Sequence, residues 1–139
     1  MKRFTLVTLL FAAMIVSAAA MAGAANTQEL TPPPDSPSPN ASGVVATTFD
    51  GPYYSWVKVG WGLWARVKYY NVYATFELKG LTPSTFYDFG SDVGSMGGFT
   101  TDESGNASGT CSDRIAKRNT PSYQVYYYSF SSNKVVVLE

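Results

Sequence analysis

Trp56, Lys58, Trp64 and Arg66 have types and spacings that suit surface recognition: flat aromatic faces set beside cations. Around Gly60-Trp61-Gly62, two residue rows alternate. Val57, Val59, Leu63, Ala65, Val67 and Tyr69 share one parity; Trp56, Lys58, Trp64, Arg66 and Lys68 share the other. Strand side chains alternate between faces, so this pattern predicts a hairpin with an apolar inward face and an aromatic, cationic outward face. A three-residue loop, with Gly62 in the left-handed conformation, pairs Val59 with Leu63, Val57 with Ala65, Lys58 with Trp64 and Trp56 with Arg66. Exposed coplanar tryptophans among polar neighbours stack sugar rings. The same register sets each tryptophan against a cation, a self-contained arrangement of cross-strand cation–π pairs of about 0.5–1 kcal/mol each. A third arrangement covers this face with another strand or with the upstream segment. Trp61, at the tip, is either a plug folded onto the core or an exposed anchor for a partner.

Catalytic chemistry is sparsely supplied. The chain has no histidine, which removes Ser-His-Asp and Cys-His nucleophiles and every histidine metal site. Its one cysteine, Cys111, allows no intrachain disulfide; it is buried, free or paired with another chain, burial being the commonest state. Asp88, Asp92, Asp102 and Glu103 are the clustered acids, in segments that read as loops, and they form no obvious glycosidase pair. Asp102, Ser104, Asn106 and Asp113 have a calcium-loop rhythm, but Ala107 stands where glycine is needed and the last ligand is Asp rather than Glu. Arg114, Lys117 and Arg118 form a small basic loop, too few cations for a nucleic-acid footprint. Asn40-Ala41-Ser42 and Asn106-Ala107-Ser108 are glycosylation sequons. No catalytic set, metal site or cofactor is expected.

The elements that must position these residues read as short strands. An apolar stretch at 44–49 breaks at Asp50-Gly51-Pro52 and leads into the tryptophan hairpin. The parity then shifts at Tyr70-Asn71, which predicts a bulge. Val72, Ala74, Phe76 and Leu78 face inward on the next strand; Tyr73, Thr75, Glu77 and Lys79 face out. A strand at 86–89 precedes a glycine-rich loop through Gly90, Gly94, Gly97 and Gly98. Residues 99–101 and 107–111 flank a turn, as in a hairpin; 112–121 is a polar loop with one helical turn at 113–117. A last hairpin, 123–130 with 134–138, is apolar on both faces and should sit centrally or be covered. Turn-punctuated strands with no helical period mean an all-β domain, a single antiparallel β-sandwich.

Gly80-Leu81-Thr82-Pro83-Ser84-Thr85-Phe86-Tyr87 resembles the tyrosine corner of fibronectin type III and other immunoglobulin-like domains. The resemblance implies that Leu81 plugs the core, that Pro83 fixes the turn, and that the Tyr87 hydroxyl reaches back to the backbone across a connection between two sheets. It covers about ten residues. In fibronectin type III domains about two strands follow the tyrosine, whereas two apparent hairpins follow Tyr87, so the strand order is not carried over.

Charge is balanced from Gly43 onward, with eight acids and eight bases, which gives no overall attraction to nucleic acid or anionic lipid. Lys2 and Arg3, an apolar run and Ala22-Gly23-Ala24 have the form of a cleavable export signal at 1–24; the competing form is an uncleaved anchor, since Phe4 to Ala25 is long enough to cross a bilayer. Residues 25–42 hold five prolines among Ser, Asp and Asn, and are expected to be a disordered or polyproline stem. The sandwich is then 43–139. The expected protein is a non-catalytic module, secreted, periplasmic or on the cell surface, with no membrane span once the signal is removed. It would bind an extracellular macromolecule, glycan or protein, or build extracellular structure. The alternatives are a carbohydrate-binding module using Trp56 and Trp64, and a small extracytoplasmic hydrolase. Cleavage after Ala24 is checked by the intact mass of exported protein; a mass that retains Met1 overturns it.

Overall fold

The structure is a computed structural model and describes residues 26–92 and 94–139, so the segment 1–24 expected to be an export signal lies outside it. Eight strands follow in order: β1 Asn26–Leu30, β2 Ser42–Gly60, β3 Leu63–Lys79, β4 Phe86–Ser91, β5 Gly94–Thr100, β6 Ala107–Ile115, β7 Tyr123–Tyr128 and β8 Lys134–Leu138. They make two four-stranded antiparallel sheets, ordered β1-β2-β3-β6 and β5-β4-β7-β8. The domain is an all-β sandwich, with no helix among the described residues.

The core follows from alternation on β3. Val72, Ala74, Phe76 and Leu78 are all buried, and the intervening Tyr73, Thr75, Glu77 and Lys79 are half-exposed. From the facing sheet come Tyr87, Phe89, Tyr123, Val125 and Val137. Phe76 stacks on Phe89 with ring centroids 4.8 Å apart, and Phe89 on Tyr123 at 5.4 Å, so an aromatic column crosses the sheet-to-sheet gap. Tyr123 carries a hydroxyl into this apolar layer. Its partner is Thr47 Oγ1 at 2.8 Å on the opposite sheet, so the two buried polar groups satisfy one another. Of the last hairpin, β7 is interior, between β4 and β8, whereas β8 is an edge strand.

The crossing from β3 to β4 runs through residues 80–85. Leu81 is buried, Pro83 is exposed on the turn, and the Tyr87 hydroxyl accepts a hydrogen bond from the Thr82 N–H at 3.2 Å. Thr101, also buried, donates its hydroxyl to the Thr82 carbonyl at 2.6 Å and accepts from the Thr85 N–H at 2.9 Å. The corner is therefore held by two side chains from one sheet. Residues 102–106 do not close a hairpin: β5 pairs with β4 and β6 with β3, so this turn is a second crossing between sheets. Its glycine is obligatory. Gly105 has φ +79°, and a Cβ there would stand 2.0 Å from the Leu81 carbonyl oxygen. Leu81 in turn donates its N–H to the Gly105 carbonyl at 3.0 Å, which ties the two crossings together.

Three further expectations are corrected. Residues 26–42 are not a disordered stem. β1 pairs with β2, Leu30 and Ala41 enter the core, and Ser36 Oγ donates to the Val137 carbonyl at 2.8 Å. The proline content hid a short strand whose Leu30, near its end, is an apolar anchor. Residues 113–115 are strand rather than a helical turn, since β6 continues to Ile115 and buries it. Residues 94–98, read as a loop, belong to β5, which runs on through the expected strand at 99–100, with Phe86 lying over Gly98 in the space a side chain would fill. Cys111 is half-buried, packed at the core's margin near Gly97, and burial pushes its thiol pKa up. Replacing Tyr87 with Phe leaves the Thr82 N–H without its partner and should cost about 1–3 kcal/mol. Urea melts measure this; an unchanged midpoint would mean that the hydroxyl bond contributes nothing.

Candidate functional site

β2 and β3 are far longer than their neighbours. β1 accompanies β2 only to Thr47, and β6 accompanies β3 only from Tyr70 onward. Residues 53–60 and 63–69 therefore leave the sandwich as a two-stranded ribbon, each strand about 25 Å long at the usual rise per residue. Two irregularities shape it. One extra β2 residue between Asp50 and Tyr53 makes a bulge at the root, and another, between Lys58 and Gly60, places Val59 in a bulge beside the tip. The turn is then two residues, Trp61-Gly62, with Gly62 at φ +70°.

The pairs Trp56–Arg66, Val57–Ala65 and Lys58–Trp64 form as the sequence predicts; Val59 with Leu63 does not, because Leu63 pairs with Gly60. One face carries Tyr54, Trp56, Lys58, Trp64, Arg66 and Lys68, and the other carries Tyr53, Val57, Leu63, Ala65, Val67 and Tyr69. Trp56 and Trp64 are 67% and 61% exposed, and Trp61 at the tip is fully exposed. The aliphatic face was expected to be core. Instead Val57, Leu63 and Val67 are exposed, because their row continues the outward side of β3. The bulge expected at Tyr70-Asn71 is not on β3. β3 is regular through Tyr70 and Asn71, and the bulge is on β2. By alternation, Lys68, Arg66 and Trp64 thus continue the core-facing row of Val72 and Ala74, while Val67 and Ala65 continue the solvent row.

Cations and rings do pair, though not as the sequence suggested. The Arg66 guanidinium lies 4.0 Å from the centroid of Tyr54 rather than over Trp56. Lys68 approaches Tyr70 at 5.8 Å. At the root, Arg114 covers Tyr69 at 4.8 Å and Arg118 covers Phe49 at 5.6 Å. Tyr54 joins the constellation without having stood out in the sequence, although the tyrosine density beside an acid-free stretch was the available signal, and Arg114 and Arg118 of the basic loop reach rings at the root rather than standing in solvent. Residues 53–69 contain Lys58, Arg66 and Lys68 and no acid. The nearest acids by register stand at the root: Asp50, whose carboxylate accepts from the Tyr53 hydroxyl and raises that phenol's pKa, and Asp113. Among the described residues the one ion pair is Glu77 with Lys79, away from the ribbon.

The other candidate centres have local structural roles. Asp102 Oδ1 accepts from the N–H groups of Ser104 at 2.8 Å and Asn106 at 2.9 Å, so the carboxylate caps its own turn. No cluster of three or more possible metal-ligating side chains occurs among the described residues. Asp92 Oδ1 accepts from the Ser122 N–H at 3.1 Å. No family model matches the chain, and neither a curated protein nor a solved structure matches it.

The ribbon is thus separable from the core in energy. Leu63→Ala, Val67→Ala and the pair Trp56→Ala with Trp64→Ala should each change stability by only about 0.5 kcal/mol per site. Leu78→Ala in the core should cost about 2–5 kcal/mol. Chemical denaturation of the variants checks the contrast; unfolding of the ribbon variants would place that arm inside the cooperative core.

Proposed function

We propose that the chain is an extracellular, non-catalytic β-sandwich module that binds a macromolecular surface through the β2–β3 ribbon. One observation carries the reading. Of twelve large hydrophobic side chains exposed among the described residues, nine lie at positions 53–67 of the ribbon; the others are Phe86, Tyr128 and Phe130. A two-stranded ribbon is marginal in water, and apolar exposure concentrated on one arm marks an interaction site. The sandwich supplies the anchor, and the ribbon supplies Trp56, Trp61 and Trp64 with Lys58 and Arg66 as contact groups.

A second reading is carbohydrate binding, favoured by the placement of Trp56 and Trp64 on one open face. Wild-type chain and a W56A/W61A/W64A variant, both immobilised, would be compared on a glycan array and over supported lipid layers. The reading expects a wild-type signal that falls at least about tenfold in the variant, the loss typical of an anchor residue or more, with an unchanged urea midpoint. A signal that survives the triple replacement, or no signal on any of these surfaces, overturns the ribbon as the binding element.

A further inference from the structure

The ribbon presents three kinds of surface at once, and one partner uses them all. A sugar-stacking platform needs a single aromatic face on a rigid backing. Here the reverse face is also open, with Val57, Leu63 and Val67 exposed, and Arg66 occupies the Tyr54 ring. At the tip, Trp61 has no shielding, with Val59 and Leu63 beside it. Behind the tip come Lys58, then Arg66, then Lys68, spaced along one face and without an acid in residues 53–69. This arm carries three bases and no acid, whereas residues 25–139 together hold ten acids and eight bases, so the positive charge of the arm is local.

Resting on the ribbon reading above, we propose that its partner is an anionic lipid surface, entered tip first. Tryptophan and tyrosine favour the boundary between headgroups and acyl chains, where a ring is half in hydrocarbon and its N–H or O–H stays wet. Trp61, Val59 and Leu63 would occupy that boundary. Lys58, Arg66 and Lys68 would stand at rising heights among the lipid phosphates, where each cation contributes about fivefold to partitioning. Depth is limited by the backbone. Beyond Thr47 on β2 and before Tyr70 on β3 the outer edges have no neighbouring strand, and unpaired N–H and C=O groups are not tolerated in hydrocarbon. The ribbon therefore binds at the surface and does not span.

All three tryptophans of the chain lie in this arm, so their emission reports on it alone. The full chain is titrated with vesicles of phosphatidylglycerol and phosphatidylcholine, with vesicles of phosphatidylcholine only, and with inorganic phosphate. A blue shift is expected with the first and little change with the others. A W56F/W64F variant, which keeps Trp61, should be quenched by lipids brominated near the headgroup end of the chain. K58Q/R66Q/K68Q should weaken partitioning about a hundredfold while its circular dichroism is unchanged; residues 1–25 are common to both proteins and cancel. No shift with phosphatidylglycerol, equal binding to phosphatidylcholine, a shift with phosphate alone, or partitioning unaffected by the triple variant would each overturn the lipid assignment. A shift with a glycan and none with vesicles would overturn it while leaving the ribbon as the binding element.

Discussion

β2 and β3 remain hydrogen-bonded to each other over nearly their whole length, while the strands on either side of them stop. Most of what distinguishes this molecule follows from that mismatch. Near the sandwich the pair is flanked by β1 and β6 and covered by the second sheet, so its side chains sort into buried and exposed rows. Farther out, flanking strands and covering sheet are both gone, yet the ladder continues through a bulge at residues 51–52 to the turn at Trp61-Gly62. The inner halves of these two strands hold the core; their outer halves have no core to hold.

The sandwich itself is closed by a small number of cross-sheet contacts. The Phe76–Phe89–Tyr123 column fills the space between layers, and the Thr47–Tyr123 bond removes the penalty of burying two hydroxyls. The crossings at 80–85 and 102–106 are fixed to one another through Leu81 and Gly105, and through the hydroxyls of Tyr87 and Thr101. At the far end Thr31 and Glu139 exchange backbone hydrogen bonds, which draws the segment after β1 against the end of β8. None of these ties involves a residue of the ribbon, positions 53–69.

Much of the sandwich was legible in the sequence, for physical reasons that differ by segment. Val72, Ala74, Phe76 and Leu78 were read correctly because period-two alternation across a half-buried sheet leaves a clear trace. The hairpin register at Trp56–Arg66 and Lys58–Trp64 was read because a glycine turn and cross-strand parity fix it locally. Its environment was not legible. Which row of the ribbon continues the core-facing side depends on which strand carries the bulge at the root, and the alternation of residue types around Tyr70 does not tell β2 from β3. Residues 26–42 were misjudged because composition weighs five prolines and overlooks one well-placed Leu30. The turn at 102–106 looked like a hairpin because turn chemistry is the same whether the chain returns to its own sheet or crosses to the other.

The continuity of the ribbon with two interior strands also has a mechanical side. The two sheets form the body, and the tip is reached along β2 and β3. A pull applied at Trp61 runs parallel to those strands. It loads the ladders to β1 and β6 in shear, across hydrogen bonds that lie perpendicular to the force and must give way together rather than one after another. An arm rooted in this way would pass a load at its tip into two interior strands whose ladders resist in parallel.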